Sequence, residues 1–198
     1  METTRNLKMK KEPEIKSFSS PEKWSEWLSD NFEREEGVWL RIFKKNSGKE
    51  TLDHASALDE ALCYGWIDGQ GKSYDELSWL IKFTPRRTKS IWSQRNKENV
   101  ERLIEQKRMK APGLKEIEKA KADGRWDAAY DSPKNMEVPP DFIDELKKDN
   151  SAYEFFKTLN KTNIYAIAWR LQTARNPETR KKRMIKLLDK MKRQEKLY

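Results

Sequence analysis

The sequence predicts an α+β fold: a small antiparallel sheet packed with helices, followed by an all-helical C-terminal region. Three observations predict it. From Gly37 to Lys45 the residues alternate, with Val38, Leu40 and Ile42 facing one way and Trp39, Arg41 and Phe43 the other, which is the period of a strand. Two further short stretches, Trp66-Ile67-Asp68-Gly69 and Leu77 to Thr84, read as strands joined by a loop containing Gly and Ser. Beyond Pro140 only helical spacing is found.

Taken in order, residues 1–14 are polar and basic and read as a flexible tail. Ser20-Pro21 opens a helix, with Ser20 at the N-cap and Pro21 at the first position. Trp24, Trp27 and Leu28 fall on one stripe of it. After the first strand, Asn46-Ser47-Gly48 turns the chain. A helix over 55–64 buries Leu58, Ala61 and Leu62, and Gly65 stops it. Pro85 ends the third strand. Helices over 94–108 and 113–123 follow, with Val100, Leu103 and Ile104 on the core face of the first and Leu114, Ile117 and Ala120 on that of the second. The domain reading is an α+β core over 15–130, a proline-containing linker over 131–140 and a helical region over 141–198. Helices are expected over 140–148, 152–159, 162–174 and 177–193.

Apolar residues make up only 35% of the 198, but eight Trp, seven Phe and six Tyr enlarge the buried pieces. Charged residues reach 38%, and because apolar clusters recur along the chain they read as a solvated surface. The lone Cys63 excludes an internal disulfide and a cysteine-based metal cluster. No run of about 18 apolar residues is present for a membrane span, and the opening residues lack a secretory apolar segment. A cytoplasmic setting is expected. The net charge of +9 is uneven: Arg175 to Tyr198 hold ten basic and three acidic residues. A basic C-terminal helix of this kind attracts phosphates or acidic surfaces.

Ala61 to Gly69, Phe83-Thr84-Pro85-Arg86-Arg87 with Ser90-Ile91-Trp92-Ser93 and Asn96, Gly124-Arg125-Trp126, and Glu178 to Arg183 together resemble the YdeI/OmpD-associated family, also described as bacteriocin-protection proteins. The resemblance runs from about Pro21 to about Met191. Lys107-Arg108-Met109 departs from it, since the pattern has Gly before the Arg/Lys-Met pair. The resemblance implies a small α+β domain with a helical C-terminal region, and a link to tolerance of bacteriocins or cationic peptides and to envelope stress. It carries over no catalytic residue and no cofactor.

Among the residues themselves, Arg86, Arg87 and Lys89 place three cations in four positions before a helix that Ser93 would cap. Guanidinium groups beside a helix N-terminus suit phosphate or carboxylate. Trp92 offers a flat wall, Asp68 a carboxylate beside a turn, and Trp66 and Asn96 would line the same cleft. Ser capping, surface pairing of the arginines with Asp68 or Asp75, and a core Trp92 are the plainer roles of these residue types. His54, the single histidine, follows Asp53 at a helix start with no Gly-x-Ser-x-Gly elbow. Cys63 reads as an inert buried thiol. With no complete nucleophile-and-base set, the expectation is a non-catalytic protein without cofactor or metal. Its partner is a small anionic ligand or an acidic protein. Nucleic-acid binding through Arg180, Lys181, Lys182 and Arg183 is the alternative. Direct capture of cationic peptides by such a basic chain is disfavoured by like-charge repulsion.

Overall fold

A computed structural model describes residues 13–131, 135–174 and 176–198. The expected tail therefore lies outside the described residues except for its last two positions. The chain divides into two compact units, residues up to Ser90 with Glu98–Trp126, and Ile91–Lys97 with Asp127–Tyr198. The expected α+β class is found, with a four-stranded sheet and a helical C-terminal region.

In the first unit the strands are β1 (Ile15–Lys16), β2 (Val38–Phe43), β3 (Trp66–Ser73) and β4 (Ser78–Pro85). They lie in the order β1-β2-β4-β3. β2, β4 and β3 pair antiparallel as expected, but β1 adds a parallel edge through Ile15↔Trp39 and Lys16↔Leu40. β3 is longer than its four apolar-to-turn residues indicated, because a register shift between Asp68 and Gly71 lets Lys72 and Ser73 rejoin β4.

The inner face carries Val38, Leu40, Ile42, Ile81, Phe83 and Trp66, all buried. Against it lie α1 (Pro21–Asn31) and α2 (His54–Cys63). α1 buries Trp24 and Leu28 on the expected stripe. Trp24 stacks on Trp27 at 5.2 Å, and Trp66 meets both edge-on. Both buried indoles are satisfied: Trp24 Nε1 donates to Ala57 O at 3.0 Å and Trp66 Nε1 to Phe32 O at 2.8 Å. Asp53 caps α2, accepting from Ser56 N at 2.9 Å. Ser20 occupies the N-cap of α1 but makes no side-chain capping bond.

α3 (Gln94–Glu105) and α4 (Ala111–Ala122) follow. Val100, Leu103, Ile117 and Ala120 are buried as expected, whereas Ile104 and Leu114 are 43% and 40% exposed. Helical spacing places them beside the core stripe, yet each lies just past its edge. α3 closes with Lys107 in the left-handed region, φ 56°, while Arg108 N donates to Leu103 O and Lys107 N to Ile104 O. That is the helix ending for which glycine is favoured, and it accounts for the glycine of the family pattern at the position that Lys107 fills here. α4 starts two residues earlier than expected, with Pro112 in its first turn.

The second unit contains α5 (Pro140–Leu146), α6 (Asn150–Lys157), α7 (Lys161–Gln172) and α8 (Pro177–Lys192). Phe142, Leu146, Ala152, Leu159, Ile167, Leu171, Leu187 and Met191 form its core. Asp149, Asn160 and Asn176 cap α6, α7 and α8 through their side chains. Buried Asn163 holds the C-terminal residues, accepting from Leu197 N at 2.7 Å and Tyr198 N at 3.2 Å. Among the described residues no helix is long and apolar enough to cross a membrane.

Candidate functional site

The first unit holds a cavity of about 550 Å³ where four chain segments end or begin. Phe32 and Glu33 follow α1, Tyr64 and Gly65 follow α2, Pro85 and Arg86 close β4, and Ala111, Pro112, Lys115, Glu116 and Lys119 come from α4. Gly65 makes this convergence possible. Its φ of 75° turns the chain from α2 into β3, and an added Cβ would sit 3.1 Å from Pro112 O. Its carbonyl accepts from Arg86 N at 2.9 Å, fixing the end of β4 at the cavity wall.

The lining carries three cations, Arg86, Lys115 and Lys119, and two carboxylates, Glu33 and Glu116. Lys119 Nζ pairs with Glu116 at 2.6 Å. Arg86 is only 7% exposed, so its charge acts where solvent screens it least. Such a lining can hold an anion among its cations, with Phe32 and Tyr64 beside it.

The other expected site residues of this unit have separate settings. Trp66 is fully buried core. Asp68, on the inner face of β3, pairs with His54 Nε2 at 3.0 Å, with the His54 ring 5.9 Å from that of Trp79. The pair gives Asp68 a partner 14 residues earlier in the chain. Asp75 takes Arg41 at 2.6 Å. Arg87 is exposed and donates its backbone N–H to Ser90 Oγ at 3.0 Å. Ser90 O in turn accepts from Arg125 Nη1 at 3.0 Å, so the Gly124-Arg125-Trp126 stretch ties down this loop. Cys63 is buried, and desolvation, aided by the nearby Glu60 carboxylate, pushes its thiol up to about 12.

In the second unit Ser93 caps α3, accepting from Asn96 N at 3.2 Å. Trp92 is 2% exposed, and its carbonyl accepts from Tyr130 N at 3.0 Å. On α8, Arg180 grips both oxygens of Asp141 at 2.6 and 2.8 Å. Arg183 donates to Arg170 O at 2.7 Å, and Lys182 pairs with Glu178 at 2.7 Å. Lys181 is exposed and helps line a shallow cavity of about 370 Å³ at the start of α8. Three of the four cations named on this helix thus have partners within the unit.

Sequence reasoning did not find Lys115, Lys119, Phe32 or Tyr64 as lining residues. No local pattern marks them, although Tyr64-Gly65 lies within the first stretch that carried the family resemblance.

Fold and cavity together define a two-unit α+β protein with a cation-bearing pocket in its sheet-containing unit. Residues 16–116 match the family described as Domain of unknown function (DUF8412), and residues 135–194 match that described as Bacteriocin-protection, YdeI or OmpD-Associated. The chain belongs to the first of these, whose match spans just over half of it, and the second bears out the family expected from the sequence. That second match covers the C-terminal stretch rather than the longer span expected. No curated protein and no solved structure matches the chain.

Proposed function

We propose that the protein is a binding protein of the bacteriocin-protection type, and that its first-unit cavity takes a small anionic ligand in the cytoplasm. The observation that carries this reading is the cavity lining, in which Arg86, 7% exposed, stands with Lys115 and Lys119. A cation held away from bulk solvent keeps its attraction for an anion, and the cavity gives an incoming anion access to this wall. The family match supports a link to bacteriocin protection. His54 and Asp68 supply an acid–imidazole pair, but a catalytic reading would also need a nucleophile beside them.

The test is ligand-induced stabilisation across a panel of phosphorylated and carboxylated metabolites. Arg86→Gln is expected to weaken the best ligand by roughly ten- to a hundredfold, the loss of one charge-assisted contact. Equal binding by Arg86→Gln and by Lys115→Gln/Lys119→Gln would remove the cavity from consideration.

The alternative, nucleic-acid binding through α8, draws support from the ten basic residues between Arg175 and Tyr198. It is weakened by the partners of Arg180, Lys182 and Arg183. Unchanged oligonucleotide affinity after Lys181→Gln/Lys182→Gln would rule it out.

A further inference from the structure

The sheet of the first unit has a second, outward face. β2 buries Val38, Leu40 and Ile42, so Trp39, Arg41 and Phe43 stand on the other side, each half-buried. The register sets Lys82 beside Trp39, and Leu80 between Arg41 and Lys72. Tyr74, 48% exposed, extends the face beyond β3. Cations interleave with the rings: Lys72 Nζ lies 4.3 Å from the Trp39 centroid, and Lys49 Nζ 4.9 Å from that of Phe43. The Arg41 guanidinium lies 4.5 Å from Phe43 and 5.0 Å from Tyr74. Arg41 pairs with Asp75, but among the described residues Lys49, Lys72 and Lys82 have no carboxylate partner. None of these residues lines the cavity.

We infer that this face binds single-stranded nucleic acid, with bases stacked on Trp39, Phe43 and Tyr74 and phosphates held by Lys49, Lys72 and Lys82. Every base has a π-face, so rings on a flat sheet bind unstacked strands with little regard to sequence. A duplex keeps its bases stacked and offers such rings nothing. Trp39 and Phe43 are four residues apart on one strand, about 13 Å, enough for more than one nucleotide between them. The lysines over the rings do not block this. An exposed ammonium–ring contact is weaker than a base–ring stack, so an arriving base displaces the ammonium, which then meets the adjacent phosphate. Charge complementarity selects the polyanion over a neutral partner.

The experiment is fluorescence anisotropy of the full chain with labelled oligothymidylate of about a dozen nucleotides, over a salt series, beside a duplex of equal length. The expected result is single-strand binding that Trp39→Leu weakens by about 5- to 150-fold, the worth of one stacked base. Trp39→Leu keeps apolar cover on the sheet, and circular dichroism checks its fold. Lys72→Gln/Lys82→Gln, at surface positions, is expected to flatten the slope of log affinity against log salt by roughly 1.4. No binding at low salt overturns the inference, as does equal affinity for duplex. So does parental affinity in both variants with loss in Lys181→Gln/Lys182→Gln, which would move the site to α8. Binding to anionic phospholipid vesicles without oligonucleotide binding overturns it in favour of a membrane surface.

Discussion

Replacing Gly113 by alanine puts a methyl group where α4 crosses the end of α2. The added Cβ would lie 2.3 Å from Cys63 O and 2.8 Å from both Cys63 C and Leu62 O. All three are backbone atoms, so no side chain can swing aside. Restoring an ordinary separation requires α4 to withdraw by on the order of 1 Å. Withdrawal strains the Lys110 N–H to Cys63 O hydrogen bond, 3.1 Å long, and loosens the packing of Ile117 and Ala120, both buried on the same helix. Overpacking of this kind costs about 1–3 kcal/mol, and the weakened hydrogen bond adds about 1 kcal/mol. The better helix propensity of alanine returns at most about 1 kcal/mol. The net expectation for Gly113→Ala is a loss of about 1–3 kcal/mol. Urea denaturation followed by tryptophan fluorescence reads it, with Glu118→Ala, an exposed position on the same helix, expected within about 0.5 kcal/mol of the parent. Gly113→Ala unfolding at the parental urea midpoint would refute the close approach.

Lys107 holds φ 56° at the end of α3, and Lys107→Gly is expected to stabilise the protein by about 0.5–1 kcal/mol; a lower thermal midpoint would contradict the helix ending described. The Cys63 thiol, raised to about 12 by burial, should resist alkylation by iodoacetamide at pH 8 until denaturant is added, and mass spectrometry showing rapid native labelling would count against its burial. The Arg180 hydrogen bond holds the Asp141 carboxyl below its ordinary 3.8. A depressed folded-state value means the contribution is present above that pH and fades as the pH falls below it. The stability difference between parent and Asp141→Asn should therefore shrink on acidification from pH 6 to pH 3. A constant difference would show that the Arg180 pair contributes nothing through its charge.

Much of the fold could be read from short-range pattern. Alternation at Val38 to Phe43 is a property of six adjacent residues, and so is the spacing of Trp24, Trp27 and Leu28 on α1. The same reasoning failed at Ile104 and Leu114, because spacing tells which side of a helix is apolar but not how far the neighbouring layer reaches across it. The candidate site was only partly legible. Arg86 was singled out by its cationic run, but its cavity companions Lys115 and Lys119 lie on α4 and carry no local mark.

By itself the sequence determined the α+β class, the positions of most helices and strands, the single thiol and the concentration of positive charge near the C-terminus. These depend on composition and on interactions among near neighbours in the chain. The strand order β1-β2-β4-β3, the pairing of His54 with Asp68 and the meeting of Phe32, Gly65, Arg86 and Lys115 around one cavity were decided only by the tertiary structure. Each requires segments far apart in sequence to share one place, and that is set by how the layers bury their apolar faces together, which no local window contains.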